Sequence, residues 1–290
     1  MRVMITGASG YIGHHLTRRM RTLGWHITAL TRPGSDLRGL DADRAETDGS
    51  AASIRTALDR AGPDIIFHLA ADTTPGAGEI PPRMRAANID LGLHLLDAAA
   101  EVGCRRFVDA GTFWEHDPGP ANSAYTASKR EFHARIAARP PEGVSVTTLV
   151  LFDVYGPRDW RKKLVPALLA AAREGRELPM TPGDQRLELV HVDDVVAGFL
   201  HAAAWAGSGI RTHALDSGER HTLREIVSML GDAFPDGSRP IRVRWGAMPH
   251  RAGQIMEPVR TGAGGLIRLP GWSPHIPLRE GLRQVAAADA

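Results

Sequence analysis

The sequence predicts an α/β protein: a doubly wound parallel sheet with a smaller C-terminal α/β region. Three observations predict it. Apolar runs of strand length recur with helical stretches between them, glycines cluster directly after the first run, and from about Pro157 the rhythm loosens into segments rich in Pro and Gly. At 290 residues and 43% hydrophobic, the chain is long enough for one large domain or two modest ones.

The first apolar run, residues 3–5, turns straight into Gly7, Gly10 and Gly13, and a helix is expected over residues 11–23. Residues 27–30, 65–69, 107–108, 146–152 and 187–192 supply the later strand-length runs. Between them, the stretch RMRAANIDLGLHLLDAAAEVG carries Leu91, Leu95, Ala98 and Ala99 at helical spacing, which makes them core positions. Such alternation favours a parallel sheet covered by helices on both faces. After residue 192 the segment VVAGFLHAAA reads as a helix capped by Asp193 and Asp194, with His191 packed at a strand end rather than binding metal. The late segments PMTPGDQR, PDGSRPIRVRWGAMPHRAGQ and LPGWSPHIP fit a smaller, irregular substrate-binding region. The expected domains are residues 1–156, with 187–215 returning to them, and residues 157–186 with 216–290.

Composition excludes several classes. Lys and Arg (35) barely outnumber Asp and Glu (33), so a formal charge of +2 leaves no electrostatic footprint for nucleic acid or a membrane surface. The single cysteine, Cys104, cannot form an internal disulfide, and no Cys/His spacing suggests a metal. The opening MRVMITGASGYIG lacks the layout of a signal peptide, and no apolar segment approaches the roughly 20 residues that span a bilayer. A soluble, cytoplasmic protein is expected.

Glycines between a first strand and a first helix permit a tight turn, and they let the backbone of Tyr11, Ile12 and Gly13 approach a pyrophosphate at the positive end of the helix. Dinucleotide folds that prefer NAD usually end the second strand in Asp or Glu. Here it ends in Thr31 and Arg32, nineteen residues past Gly13, and an Arg favours the 2′-phosphate of NADPH over NADH. Arg38 is a second candidate for that phosphate. Asp48 sits where a carboxylate could reach the adenine amino group, and equally where it could cap a helix.

Tyr125 and Lys129 stand at i and i+4, on one face of a helix. An ammonium near a phenol is expected to lower its pKa and make it a usable acid or base near neutral pH. Thr112 arrives at the C-terminal end of the strand in RRFVDAG, where open α/β sheets place their ligands.

Together TGASGYIG, FHLAA, Asn88 in AANIDLGLHLLDA, Thr112 and YTASK resemble the extended short-chain dehydrogenase/reductase family of nucleotide-sugar enzymes, and LFDVYGP, LELVHVDDVVAGFLHA and LPGWSPHIPLREGL carry the likeness over nearly the whole chain. The resemblance implies a Rossmann domain and a C-terminal nucleotide-sugar pocket. It implies Tyr125 as proton donor or acceptor, Thr112 bonding the substrate oxygen, and Lys129 holding the nicotinamide ribose. Leu69, Ala70, Ala71 and Asn88 would line the cofactor, and the nicotinamide would lie against Phe152, Asp153 and Val154. Related enzymes pair through two helices, which implies a homodimer.

Within that family, 4,6-dehydratases place an Asp and a Glu directly after the Thr, where this chain has Phe113 and Trp114, so elimination lacks its acid and base. Arg32 points to an exchanged NADPH and a net reductase. The closest likeness is to the branch that reduces nucleotide-linked 4-keto-6-deoxy sugars, of the abequose and paratose synthase type. Departures at Asp153, Arg158 and Gln254 bear on the substrate. Arg186 and Arg251 are candidates for its diphosphate, and Trp114 and Asp153 for its sugar. The alternatives are a nucleotide-sugar epimerase, a reductase of flavonoid-like or steroid-like ketones, and a dinucleotide-sensing protein without catalysis.

Overall fold

A computed structural model describes residues 1–76, 78–117, 123–205, 207–234, 239–251, 253–262 and 265–289. The chain forms two compact units, residues 1–150 with 196–214, and residues 151–195 with 215–290. The elements run β1 (Arg2–Thr6), α1 (Tyr11–Thr22), β2 (His26–Thr31), β3 (Asp43–Glu46), α2 (Ala51–Ala61), β4 (Ile65–His68), α3 (Pro82–Arg85), a π-helical turn (Ala86–Asp90), α4 (Leu91–Val102), β5 (Arg106–Thr112), a 3-10 turn (Phe113–His116), α5 (Ala124–Ala138) and β6 (Ser145–Leu151). They continue with β7 (Asp153–Tyr155), α6 (Leu164–Arg173), β8 (Leu178–Pro179), β9 (Arg186–Leu187), β10 (Leu189–His191), α7 (Val192–Ala204), β11 (Ile210–Leu215), β12 (His221–Thr222), α8 (Leu223–Asp232), β13 (Val243–Arg244), β14 (Ile267–Arg268) and α9 (Leu278–Asp289).

In the first unit the strands lie in the order β11-β6-β5-β4-β1-β2-β3. β3, β2, β1, β4 and β5 run parallel to their neighbours. Register sets apolar residues side by side: Val3 lies between Ile27 and Ile65, and Ile5 between Ala29 and Phe67. Met4, Ile5, Ile27, Ile65, Ile66 and Phe67 are all buried, as expected of strands covered on both faces. The direction of winding reverses between β1 and β4, so their C-terminal ends open the crevice that Rossmann folds use for ligands. β3 was not expected from the sequence. Its residues, DRAE, are mostly charged and mostly exposed, because it covers the edge of the sheet beside β2.

Segments 151–156 and 187–195 belong to the second unit, not to the first as the sequence boundaries had it. The reason is pairing: β7 and β10 form a parallel ladder, with Asp153 opposite Leu189 and Tyr155 opposite His191. The single strand expected over 187–192 is broken at Glu188, whose buried carboxylate accepts the Gly218 N–H at 2.9 Å and pairs with Arg220 at 3.1 Å. Asp194 does not act as the expected side-chain cap of α7. Its two oxygens accept the backbone N–H groups of His275 and Ile276 at 2.9 and 3.0 Å and so tie down the segment leading into α9. His191 is buried edge-on to the Tyr155 ring, in keeping with a packed strand end. Around it, Tyr155, Leu168, Leu189, Ile226, Leu230 and Leu282 form the core of this unit.

Candidate active site

The glycine turn is a close-packed backbone crossing. Gly7 has φ +73°, and a Cβ there would lie 2.7 Å from the backbone of both Leu69 and Ala70. A Cβ on Gly13 would lie 2.8 Å from the Gly7 carbonyl carbon and 3.0 Å from Ala8 Cα. Only glycine fits at either position. Gly10 precedes α1 in an extended conformation with no side-chain cap, and the first turn of α1 holds no acidic residue. The first turn of α1 thus presents the positive helix end beside the glycine turn, which fits the pyrophosphate of a dinucleotide. Leu69 and Ala70 face this turn, and their N–H groups are anchored on Thr6 at 3.2 Å each.

At the end of β2, Arg32 is exposed and makes no ion pair among the described residues. His14, on the first turn of α1, has its pKa lowered by burial and then by the positive charges of Arg18 and Arg38. The corner is thus cationic, and it suits an anion. Asp48 has one carboxylate oxygen engaged locally: Oδ1 accepts the Ser50 N–H at 2.8 Å and the Ser53 hydroxyl at 2.6 Å, and these bonds hold its pKa near about 2. The helix-entry alternative for Asp48 is the one these contacts describe.

Thr112, Tyr125 and Lys129 are set by three anchors. Thr112 ends β5 and starts the 3-10 turn through a reciprocal cap, in which its hydroxyl accepts the Trp114 N–H and its own N–H donates to Glu115 Oε1 at 2.7 Å. Ser123 caps α5 by accepting the Thr126 N–H at 3.1 Å. Lys129 is buried, and its ammonium donates to the Ala110 carbonyl of β5 at 2.7 Å. Asn88, buried in the π-helical turn, adds a fourth tie. Its amide accepts the Asp72 N–H at 2.6 Å and donates to the Asp72 carbonyl at 3.0 Å and to Ser128 Oγ at 2.9 Å. Ser128 in turn bonds the Tyr125 carbonyl at 2.7 Å. The loop after β4, which contains Ala71, is so joined to the turn of α5 that carries the phenol.

The expected lowering of the Tyr125 pKa is not what the structure gives. Burial first, and then the carboxylate of Glu115, push it above its usual value of 10.0. The phenol is held protonated, while the Lys129 ammonium is committed to a main-chain carbonyl.

Beneath these residues lies a charged cluster that sequence reasoning missed. His133 is one helical turn beyond Lys129, and its Nε2 meets Asp109 Oδ2 at 2.8 Å while its Nδ1 bonds Glu115. Asp109 also accepts the Thr148 hydroxyl at 2.8 Å. Burial disfavours the His133 charge, yet the charge and hydrogen bond of Asp109, followed by those of Glu115, raise its pKa to about 9. Both carboxylates are buried, which alone would raise them, and His133 nevertheless holds both below their ordinary values. Two signals were present in the sequence. Thr112-Phe113-Trp114-Glu115 has the spacing of a capping box, and Tyr125, Lys129 and His133 recur every fourth residue on one helix face.

Trp114 is half-buried, its ring 5.7 Å from that of Phe113. In the second unit, Phe152 is buried and Asp153 and Val154 are half-buried on β7; burial raises the Asp153 carboxyl, against the pull of Lys163 and Arg161. Arg186 and Arg251 are exposed, and neither guanidinium makes an ion pair among the described residues. The Arg186 N–H donates to the Met256 carbonyl at 2.8 Å and the Arg251 N–H to Gln254 Oε1 at 3.1 Å, so both are fixed through the backbone. No group of residues that could hold a metal ion occurs among the described residues.

Residues 3–214 match the NAD dependent epimerase/dehydratase family. CDP-abequose synthase of Yersinia pseudotuberculosis is 24% identical over 238 residues, covering 80% of this chain and 84% of that protein. Among solved structures, UDP-glucose 4-epimerase of Thermotoga maritima with UDP-glucose has a TM-score of 0.82 at 21% identity, covering 99% of this chain and 98% of its own. MoeE5 in complex with UDP-glucuronic acid and NAD has a TM-score of 0.78 at 26% identity, covering 99% and 98%.

Proposed function

The chain belongs to the NAD dependent epimerase/dehydratase family, the extended short-chain dehydrogenase/reductases, and from that premise we propose that it uses NADPH to reduce a nucleotide-linked 4-keto-6-deoxyhexose to the 4-hydroxy sugar. The observation that carries the reading is the placement of Tyr125 and Lys129 one turn apart on α5, with the Lys129 ammonium tied at 2.7 Å to the carbonyl of Ala110, two residues before Thr112 on β5, which suits a phenol that donates its proton to a ketone oxygen. Elimination of water is disfavoured. Phe113 and Trp114 follow Thr112, and the nearest carboxylate, Glu115, is bound to His133 and to the Thr112 N–H. The similarity to a CDP-abequose synthase supports the choice of a sugar nucleotide.

When bound, the reduced nicotinamide supplies the hydride. Tyr125 gives its proton to the oxygen as C4 becomes tetrahedral, and the Thr112 hydroxyl donates a hydrogen bond to the same oxygen. The ammonium of Lys129, fixed on Ala110, steadies the phenolate left behind until solvent returns its proton. One hydride and one proton convert C=O to CH–OH. Gly7, Gly10 and Gly13 with the backbone of Tyr11 and Ile12 would hold the pyrophosphate, and Arg32, aided by Arg38, would hold the 2′-phosphate. Leu69, Ala70, Ala71, Asn88, Phe152 and Val154 would complete the cofactor contacts, and Trp114, Asp153, Arg186 and Arg251 would serve the nucleotide sugar. The same reading makes the protein a cytoplasmic homodimer; no helix of the described residues is long and apolar enough to cross a membrane.

The test is Tyr125→Phe. It is expected to abolish turnover of a nucleotide-linked 4-keto-6-deoxy sugar while NADPH still binds, and a variant that keeps most of its kcat removes the phenol from its role.

A further inference from the structure

The Asp109–His133–Glu115 cluster has a feature that simple core packing does not need. A neutral imidazole has one N–H and can donate to one acceptor. The His133 ring meets a buried carboxylate at each nitrogen, Asp109 at 2.8 Å on one side and Glu115 on the other. The remaining carboxylate oxygens are already accepting, from the Thr148 hydroxyl at 2.8 Å and from the Thr112 N–H at 2.7 Å. An imidazolium satisfies both contacts. The three groups then carry one net negative charge, and the buried Lys129 offsets it.

Each arm of the cluster ends on a different part of the site. Asp109 belongs to β5, three residues before Thr112; Glu115 closes the Thr112 turn; His133 shares a helix face with Tyr125 and Lys129. Gly111 makes the arrangement possible, since a Cβ there would lie 2.8 Å from Glu115 Oε1 and from Thr148 Cγ2. The charged or titratable groups facing the ring are Asp109 from β5, Glu115 and His116 from the 3-10 turn, Lys129 from α5 and His68 from β4. Arg130 of α5 bonds the Glu115 and Asp117 carbonyls at 3.0 and 2.5 Å. Of the two neighbouring histidines, His68 is held neutral, near about 3, by burial and then by Lys129, and burial also lowers His116.

We infer that Asp109, Glu115 and His133 are positioning residues of the reaction: an imidazolium clamped between two carboxylates locks the Thr112 turn to the Tyr125 face of α5. The inference rests on the reading of Tyr125 as proton donor. Second-layer groups of this kind orient the groups that touch substrate and tune their proton affinity. They differ from a structural ion pair in that neutralising one member lowers kcat and leaves KM for the substrate unchanged.

The experiment has arms with and without substrate. In full-length protein labelled with nitrogen-15 histidine, with His133 assigned through His133→Gln, both ring nitrogens are expected to carry protons at pH 7.5; a neutral tautomer overturns the inference. In turnover, Glu115→Gln is expected to lower kcat by about tenfold, to bring the alkaline limb, set by loss of the His133 charge, to lower pH and to leave KM for the ketone unchanged, with Glu115→Asp recovering part of the loss; an unchanged kcat overturns the inference. If wild-type protein fails to reduce 4-keto sugars, the proposed function falls while the imidazole spectrum still decides the clamp. If Glu115→Gln does not fold, Glu115→Asp is read in its place, and a kcat equal to that of wild type overturns the inference.

Discussion

A protonated His133 makes stability depend on pH in a direction that can be worked out. Its pKa rises from the ordinary 6.5 to about 9 in the fold, against the cost of burial, because of Asp109 and then Glu115. A group whose pKa is raised on folding stabilises fully below its unfolded value, and that stabilisation is lost as pH climbs through the folded value. The window is therefore pH 6.5 to about 9. At about 1.4 kcal/mol per tenfold change in proton affinity, the loss across it is roughly 3 kcal/mol. The lowered carboxyls of Asp109 and Glu115 act oppositely, losing their contribution as pH falls below the ordinary carboxylate range. The perturbation is Asp109→Asn, which removes the largest favourable influence on the imidazolium and keeps the shape. Urea unfolding of wild type at pH 6 and pH 9.5 is expected to show the decline, and the variant to lose at least half of its slope over the same interval. Equal slopes in the two proteins would refute the argument.

Three further outcomes follow from the same geometry. Gly13→Ala forces a methyl into the Gly7 and Ala8 backbone; it is expected to destabilise the protein by about 1–3 kcal/mol and to abolish dinucleotide binding measured by calorimetry, and normal binding would contradict the close crossing. Arg32→Ala is expected to weaken NADPH binding by about 10- to 100-fold, the worth of one charged hydrogen bond, with NADH affinity unchanged; equal losses for both cofactors would remove Arg32 from the 2′-phosphate. Asn88→Ala breaks the tie between Asp72 and Ser128, and thermal unfolding is expected to reveal a loss of about 1–3 kcal/mol together with a lower kcat.

The legibility of this fold in its sequence divides along a physical line. β1, the glycine turn and α1 were readable because an apolar run, a backbone crossing and an uncapped helix start are all local. Likewise the i and i+4 pair of Tyr125 and Lys129 is a property of helix geometry alone. β3 escaped because an edge strand facing solvent has no apolar pattern to betray it. Residues 187–192 misled because Glu188, charged and yet fully buried, satisfies itself through Gly218 and Arg220 some thirty positions later. The direction of the Tyr125 shift is hidden for a related reason: burial raises it first and the Glu115 charge second, both set by packing, while the Lys129 ammonium finds a β5 carbonyl. His133 lies 24 positions from Asp109 and 18 from Glu115. Spacings of that size encode contact only once the sheet and α5 have packed.

The central claim concerns hydride and proton delivery to a ketone, and deuterium follows it most directly. Purified protein given a nucleotide-linked 4-keto-6-deoxyhexose and NADPH deuterated at the transferred position is predicted to yield the 4-hydroxy sugar with one deuterium at C4, one cofactor oxidised for each product formed. A sugar whose configuration changes without net oxidation of NADPH, or a product free of deuterium, contradicts the account.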